Sequence, residues 1–372
     1  MKVMHVVGAR PNFMKVAPTM AEMARFPAVF QQVLVHTGQH YDDEMSKVFF
    51  DDLALPQPDV YLGVGSGSQA QQMARIMAAF EPVLLEYAPE WVMVVGDVTS
   101  TLACALTAAK LGVRVAHVEA GLRSFDRSMP EEINRVLTDH LADALFTTES
   151  SANGNLRREG IAEDKIYFVG NVMIDTLVKL LPSAERRWTD LRASLDLSAY
   201  ALVTLHRPSN VDDPATLREI MLGLNDLARD LPVVFPVHPR TQRRIAAFGL
   251  ADMTHRLRLL PPLGYLDFLA LTGHAALVIT DSGGVQEETT FLGIPCLTVR
   301  PNTERPVTLT VGTNRLVESE RAALVAASLG ALRPARPWIG QTPELWDGRA
   351  AERIVAIMEA QARYAGLEPQ VA

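Results

Sequence analysis

The chain has 372 residues, of which 48% are apolar, and its mean hydropathy is +0.09, so it is long enough for two hydrophobic cores. The net charge of −8 and the pI of about 5.6 exclude the broad basic face that nucleic acid requires. Cys104 and Cys296 are too few for a disulfide framework, and no apolar run reaches the roughly 20 residues of a membrane span, so we expect a cytoplasmic protein.

Short apolar runs punctuated by glycine predict parallel strands in the first half of the chain. Stretches with helical spacing separate them, and the run at 91–95 shows no polar alternation, which indicates burial on both faces of a sheet. The predicted strands are residues 2–7, 32–36, 91–95, 113–118, 144–148 and 165–169. This pattern is typical of a doubly wound α/β layer.

The second half repeats this plan. Asp212 or Asp213 is predicted to cap a helix that has Pro214 in its first turn. The predicted strands are residues 201–205, 233–238, 275–280 and 296–299. We therefore expect Rossmann-like domains at 1–175 and 176–348, with a last helix in 349–372 that packs back toward the first domain. Ligands of open parallel sheets bind beyond the carboxyl ends of the strands, so a cleft between the domains is the expected site.

Two cations follow the first predicted strand. Gly8 permits a tight turn there, and Arg10 and Lys15 lie near the start of the next helix, where an anion is favoured. The alternative interpretation is a tight turn with two solvated basic residues. The spacing is neither that of a dinucleotide-binding glycine motif nor that of a Walker loop.

Three acidic residues follow predicted strands of the first half. Asp97 comes after the run at 91–95, Glu119 ends the next strand, and Glu131 follows Pro130 at a helix start. Asp97 as a helix cap and Glu131 as a helix starter are the structural alternatives. If these acids meet at one rim of the sheet, repulsion raises the pKa of at least one, which places a proton donor beside a proton acceptor.

The second half carries candidate residues for a diphosphate. His206 and Arg207 follow one predicted strand, and His238 follows the next one. Ser282, Gly283 and Gly284 lie between a strand and a helix, where a hydroxyl and backbone N–H groups form an anion nest, and a capped helix is the alternative. Glu288 suits a ribose diol, and Arg305 supplies another cation. No metal-ligand spacing is present, so the sequence predicts no metal site.

In this order, the motifs resemble those of the non-hydrolysing UDP-N-acetylglucosamine 2-epimerases over residues 2–360. They are GARPNFMK, GQH at 38–40, GD at 96–97, HVEAGLRS, MPEEINR, HR at 206–207, DSGGVQEE and TERP. The resemblance implies a GT-B glycosyltransferase-like fold, a UDP-sugar substrate, a homodimer, and neither a metal nor a redox cofactor.

The resemblance also implies residue roles in a reaction that expels UDP, forms a 2-acetamidoglucal and adds UDP back with inversion at carbon 2. We expect Asp97 and Glu131 to transfer protons, Glu119 to orient them and His206 to assist the leaving group. Lys15 completes the catalytic set. The expected substrate-binding residues are Arg10, Arg135, Arg207, His238, Ser282, Gly283, Gly284, Glu288 and Arg305.

The chain departs from the family pattern at two places. Ser209 stands where many relatives have Glu, and Gln39-His40 is followed by Tyr41-Asp42 where substrate-activated bacterial members have Arg. We therefore hypothesise weak or absent activation by substrate. The alternatives are an epimerase for another UDP-HexNAc derivative such as a 2,3-diacetamido uronic acid, a hydrolysing epimerase, a retaining glycosyltransferase, and a non-catalytic UDP-sugar sensor.

Overall fold

Two parallel sheets, one in each of two compact units, organise the chain. The computed structural model describes residues 1–39, 52–53, 55–332 and 340–365, without the side chains of Arg10, Tyr364 and Ala365. The first unit comprises Met1–Thr176 and Glu344–Ala372, and the second comprises Leu177–Pro343. The α/β fold class predicted from the sequence is confirmed.

The first sheet has the strand order β3-β2-β1-β4-β5-β6-β7 and is parallel throughout. Its strands are β1 (Lys2–Val7), β2 (Gln31–His36), β3 (Val60–Tyr61), β4 (Trp91–Val95), β5 (Arg114–Ala120), β6 (Ala144–Thr147) and β7 (Ile166–Phe168). All five residues of β4 are buried, as the unbroken apolar run predicted. The chain reverses its direction of strand addition between β1 and β4, and ligands of such sheets bind outside that switch point.

The second sheet has the strand order β10-β9-β8-β11-β12-β13, also parallel. Its strands are β8 (Ala201–Thr204), β9 (Val233–Pro236), β10 (Leu257–Leu260), β11 (Leu277–Thr280), β12 (Cys296–Val299) and β13 (Asn314–Val317). The switch point lies between β8 and β11. The loops after these two strands are therefore the expected ligand-binding loops of this unit.

Helices connect the strands in both units. The helices up to the boundary between the units are α1 (Arg10–Met23), α2 (Gln69–Tyr87), α3 (Thr99–Lys110), α4 (Pro130–Leu141), α5 (Ser150–Arg158) and α6 (Val172–Ser194). Those that follow are α7 (Pro208–Val211), α8 (Pro214–Leu227), α9 (Pro239–Ala247), α10 (Tyr265–Gly273), α11 (Gly283–Leu292), α12 (Val307–Thr310), α13 (Arg321–Ala331) and α14 (Ala350–Ala365). Short 3₁₀ turns occupy Glu163–Lys165 and Ala251–Thr254.

Helix caps and apolar cores hold the helices and strands in place. Asp213 caps α8, since its carboxylate accepts a hydrogen bond from the Thr216 N–H at 2.7 Å. The apolar residues along one side of α8 lie in the core of the second unit. In the first unit, Ile354, Val355 and Met358 of α14 lie in one core cluster with residues of β1 and β4. Within the described residues, no helix is both long enough and apolar enough to cross a bilayer.

Candidate active site

The turn after β1 is tied to the end of β4. The Asn12 side-chain oxygen accepts hydrogen bonds from the N–H groups of Gly8 and Ala9, each at 3.0 Å. The Asn12 amide nitrogen donates to the Val95 carbonyl at 3.0 Å. One buried side chain thus fixes the two loops at the switch point of the first sheet. The side chain of Arg10 lies outside the described part of the chain.

Lys15 and Glu119 form a buried ion pair. The distance between Lys15 Nζ and Glu119 Oε1 is 2.7 Å, and the two side chains are 7% and 2% exposed. Gly96 has a φ of +66°, and a Cβ at this position would lie 2.8 Å from Lys15 Nζ, so glycine is required for this close approach. Glu119 itself has a φ of +72°, an unfavourable angle for a non-glycine residue that the surrounding contacts must hold.

Asp97 is held by two residues of α4. Its carboxylate contacts the Arg135 guanidinium at 2.5 Å, and its backbone carbonyl accepts from the Asn134 side chain at 2.9 Å. The Asp97 side chain remains 22% exposed, whereas that of Arg135 is 3% exposed. The predicted residues Asp97 and Arg135 are therefore in contact, and Asp97 keeps access to solvent.

The two glutamates at the start of α4 have different roles. Glu132 is buried and accepts hydrogen bonds from the Ser124 N–H and hydroxyl, the Phe125 N–H and Arg135. Glu131, the residue that the sequence singled out, is partly exposed and makes no side-chain hydrogen bond or ion pair within the described residues. It lies one helical turn before Arg135, on the same face of α4. Glu132 is thus structural, and Glu131 is available for another partner.

A buried histidine lies beneath the acidic loops. His117 Nε2 contacts the Gly96 carbonyl at 2.8 Å, and its Nδ1 contacts Asp139 Oδ1 at 2.6 Å. Asp139 also accepts from the Gly121 N–H at 3.0 Å and from Arg123 at 2.7 Å. Burial alone would raise the pKa of Asp139, but the charges and hydrogen bonds of His117 and Arg123 lower it below its usual value. His117 and Arg123 belong to the HVEAGLRS motif, but no sequence pattern indicated their contacts with Gly96 and Asp139.

Asp281 organises the loop after β8 in the second unit. Its buried carboxylate accepts hydrogen bonds from the backbone N–H groups of His206 and Arg207 and from the Asn210 side chain, at 2.9–3.1 Å. His206 Nδ1 also lies 3.0 Å from Asp281 Oδ1. Burial alone would raise the pKa of Asp281, but His206 and the N–H donors of Arg207 and Asn210 lower it.

His206 therefore has a fixed orientation and an accessible face. Its side chain is 42% exposed, and because Nδ1 faces Asp281, Nε2 is left for a ligand. The His238 ring lies nearby, with 5.8 Å between the ring centroids. His238 Nδ1 accepts from the Arg240 N–H at 3.2 Å, so this nitrogen carries no proton and Nε2 is its donor.

The segment of Ser282, Gly283 and Gly284 starts α11 and is partly exposed. Its first-turn N–H groups point away from the helix and suit an anion. Gly283 packs against Arg305 and Glu304, where a Cβ would lie only 2.5 Å from an Arg305 nitrogen. The Arg305 guanidinium is itself buried and pairs with Glu287 at 2.7 Å and with Glu304. In this structure Arg305 thus supports the cradle from behind.

Glu288 is a buried acid held by a phenol. Tyr265 donates its hydroxyl to Glu288 Oε1 at 3.0 Å. Burial raises the pKa of Glu288 to about 8, although the Tyr265 hydrogen bond lowers it and the charge of Glu287 raises it further. The sequence did not indicate Tyr265, which lies 23 residues earlier in the chain.

Comparison with known proteins gives a consistent result. The family model for UDP-N-acetylglucosamine 2-epimerase matches residues 22–359. The UDP-N-acetylglucosamine 2-epimerase of Methanocaldococcus jannaschii is 42% identical over 96% of this chain and 99% of its own length. The UDP-2,3-diacetamido-2,3-dideoxy-D-glucuronate 2-epimerase of Pseudomonas aeruginosa is 42% identical over 88% of this chain and 91% of its own length.

Solved structures agree with these relatives. The crystal structure of M. jannaschii UDP-GlcNAc 2-epimerase in complex with UDP-GlcNAc and UDP superposes with a TM-score of 0.90 and covers 97% of this chain and 100% of its own, at 42% identity. Because both the family model and the relatives extend over nearly all of the sequence, the chain belongs to the UDP-N-acetylglucosamine 2-epimerase family.

Proposed function

We propose that the enzyme interconverts UDP-N-acetylglucosamine and UDP-N-acetylmannosamine by inverting carbon 2, without net loss of UDP. The observation that carries this proposal is the pairing of each of two acids with a cation at the switch point of the first sheet. Asp97 contacts Arg135, and Glu119 contacts Lys15. A protein that only binds a nucleotide sugar has no use for such acids, whereas proton transfer at carbon 2 requires them.

The chemistry sets what the first unit must do. No carbonyl is adjacent to carbon 2, so its hydrogen is not acidic enough for simple removal and return. Expulsion of UDP with loss of this proton gives a 2-acetamidoglucal, and re-addition then needs a proton from the opposite face. We assign the proton transfers to Asp97 and Glu131, and the orientation of these groups to Glu119 and Lys15. The partial exposure of Asp97 and Glu131 supports this assignment.

The second unit is proposed to hold UDP and to stabilise it as it leaves. The Ser282 hydroxyl and the N–H groups of Gly283 and Gly284 suit the diphosphate, and the Glu288 carboxyl suits the ribose hydroxyls. His206 Nε2 is proposed to assist the leaving group. The other proposed contacts to phosphate or sugar oxygens come from Arg10, Arg135, Arg207, His238 and Arg305, of which Arg305 is expected to act through the cradle that it supports.

The test is incubation with UDP-GlcNAc in deuterium oxide, followed by NMR at carbon 2. We expect deuterium at carbon 2 and a stable total of UDP-sugar. Net release of UDP would indicate a hydrolysing enzyme instead. Asp97→Asn should abolish turnover while UDP binding persists, and Glu163→Gln is the matched control because that side chain is 66% exposed in the same unit. Absence of turnover in the wild type, with UDP-sugar binding unchanged in Asp97→Asn, would favour a non-catalytic sensor.

The sequence identity of the relatives supports a second substrate equally well. The P. aeruginosa relative that acts on UDP-2,3-diacetamido-2,3-dideoxy-D-glucuronate is as similar, at 42%, as the M. jannaschii enzyme. Both sugars should therefore be offered separately, and inversion at carbon 2 followed by NMR. The sugar with the higher kcat/KM is the substrate.

Weak or absent activation by substrate remains a prediction, because His40, Tyr41 and Asp42 lie outside the described residues. Gln39 is described, and its side-chain oxygen accepts from the Ser100 N–H at 3.1 Å and hydroxyl at 2.7 Å. We expect hyperbolic dependence of rate on UDP-GlcNAc. A sigmoidal curve, or a requirement for UDP-GlcNAc in the reverse direction, would contradict this expectation.

We further propose a cytoplasmic homodimer. The first unit exposes Leu85 on α2 and Ile133 and Leu137 on α4, with exposed fractions of 66%, 42% and 47%. These apolar side chains are suited to burial against a second copy. Both cysteines are free and buried, which fits a reducing compartment. Light scattering of the purified protein should give twice the mass of one chain.

A further inference from the structure

We propose that His117 is a positioning residue that donates from both ring nitrogens and, together with Asp139, holds both acidic loops of the first unit in place. This inference rests on the proposed function, because it assigns meaning to the positions of Asp97 and Glu119. It adds a residue that never contacts the sugar. The pair acts through the backbone on either side of the acids.

The geometry links the pair to both loops. His117 Nε2 contacts the carbonyl of Gly96, the residue immediately before Asp97. Asp139 Oδ2 accepts from the N–H of Gly121, two residues after Glu119. Loss of His117 would free the Gly96 carbonyl, and loss of Asp139 would free the Gly121 N–H. The loops of Asp97 and of Glu119, whose backbone is strained, are thus both linked to this buried pair.

Hydrogen-bond chemistry fixes the protonation state of His117. The Gly96 carbonyl is only an acceptor, so Nε2 must carry a hydrogen. Asp139 accepts from the Gly121 N–H and from Arg123, as an ionised carboxylate does, so Nδ1 must also carry a hydrogen. The side chains of His117 and Asp139 are both 0% exposed, which leaves no solvent to supply a different donor. The ring is therefore an imidazolium.

The surrounding charges balance this cation. Asp139 supplies one negative charge, and the Arg123 guanidinium beside it makes a two-point contact with Glu159 at 2.6 and 2.8 Å. The other charged pairs near these loops include Lys15 with Glu119, and Arg135 with Asp97 and Glu132. Each positive group thus has a carboxylate within hydrogen-bond distance, and a buried ion is stable only with such a partner.

Full burial separates this role from catalysis. No face of the His117 ring is open to a substrate, so it cannot exchange a proton with carbon 2. Its influence reaches Asp97 through the Gly96 peptide, while Asn134 and Arg135 hold the carbonyl and carboxylate of Asp97 from α4. An acid held from three directions keeps the geometry that proton transfer requires.

The first measurement is made on the unmodified enzyme. NMR of protein labelled with ¹⁵N at histidine should show both nitrogens of His117 carrying hydrogen at neutral pH. A neutral ring with one unprotonated nitrogen would overturn the proposal. This result does not depend on which sugar the enzyme uses, so it remains decisive even if UDP-GlcNAc is not the substrate.

The second measurement compares two substitutions. Glutamine in His117→Gln can still donate toward Gly96, whereas asparagine in His117→Asn can still donate toward Asp139. We expect kcat to fall by about 10²-fold in His117→Asn and by less in His117→Gln, with UDP binding and KM unchanged. The limbs of the kcat–pH profile should stay at their wild-type positions, because the fully buried His117 ring does not reach the reacting atoms. Wild-type kcat in both folded variants, or loss of one limb, would refute the positioning role.

Discussion

The two units contain the same pair of residue types in different surroundings. In the first, His117 and Asp139 are both fully buried, and both ring nitrogens have protein partners. In the second, Asp281 is fully buried, but His206 is 42% exposed and one ring nitrogen faces outward. His117 lies within β5, one strand away from the switch point of the first sheet, whereas His206 follows β8, next to the switch point of the second sheet.

The difference shows that the partner of the second nitrogen decides what an aspartate–histidine pair does. A ring bound on both sides can hold backbone groups in place but cannot exchange a proton with a ligand. A ring bound on one side has a fixed orientation and keeps a nitrogen for acid–base work. The aspartate has the same effect in both pairs, since it aligns the ring and accepts N–H groups from a loop.

Substitution of His206 should have the largest effect on catalysis. His206→Gln should lower kcat by about 10²–10⁴-fold, because the proton donor to the leaving UDP is lost, while UDP still binds. One limb of the kcat–pH profile should disappear, in contrast to His117→Gln. Stopped assays with purified variants measure this, and His255→Gln is the control because His255 is exposed in the same unit. An unchanged kcat would remove His206 from the mechanism.

Glu288 tests what happens to a buried acid that has a phenol rather than a cation beside it. Its pKa is raised from 4.5 to about 8 by burial, so the folded protein keeps its proton over a range in which the unfolded chain has lost it. The free energy of unfolding should therefore fall as pH rises from 4.5 to 8. Glu288→Gln removes this cost and should stabilise the ligand-free protein at pH 9 by about 2–4 kcal/mol.

Urea titrations at pH 5 and pH 9 measure the effect. Tyr265→Phe is the matched variant, because it removes the hydrogen bond that lowers the pKa of Glu288 and should enlarge the loss of stability at high pH. Equal stability of wild type and Glu288→Gln at pH 9 would mean that the carboxylate is better solvated than its burial implies.

Much of the fold could be predicted from the sequence because buried parallel strands leave unbroken apolar runs. Residues 2–7, 91–95 and 296–299 match β1, β4 and β12 at both ends. The strands β3, β10 and β13 were missed. All three are at sheet edges, where strands are short or partly exposed, and β10 has the pattern Leu-Arg-Leu-Leu with two exposed residues.

The site was predictable only where motifs place residues at strand ends. Asp97, Glu119 and His206 were proposed in this way, and the structure adds that Arg135 and Lys15 contact the first two. Tyr265, Asp139 and Asn134 were not found, because each makes its contact across the fold rather than along the chain. Long-range hydrogen bonds of this kind have no local sequence pattern.

Asp281→Asn tests how much the charge of Asp281 contributes to the free energy of unfolding. The pKa of Asp281 is lowered below 3.8, so its contribution to stability is present above that value and is lost as pH falls through the lower folded pKa. Asparagine keeps one acceptor for the N–H groups of His206, Arg207 and Asn210, so we expect a loss of about 1–3 kcal/mol at pH 7. The difference in free energy of unfolding between Asp281→Asn and the wild type should shrink below pH 4. A constant difference across this range would mean that charge is not the cause.

Asp175 gives the smallest effect and the clearest contrast, because it is a buried aspartate with no histidine beside it. Its two oxygens accept from the N–H groups of Ala350 and Ala351 at 3.1 and 2.7 Å, which caps α14. Burial, aided by the charge of Asp347, raises its pKa from 3.8 to about 6 despite these hydrogen bonds, so stability should fall as pH rises between those values.

Asp175→Asn should therefore remove this slope while costing about 1 kcal/mol or less at pH 7, since asparagine caps helices nearly as well. Denaturant titrations at pH 4 and pH 7 measure both the pH dependence of stability and the loss of stability at pH 7. A variant that keeps the wild-type slope would place the titrating group elsewhere in the first unit. Loss of the slope would identify Asp175 as the group whose titration causes it.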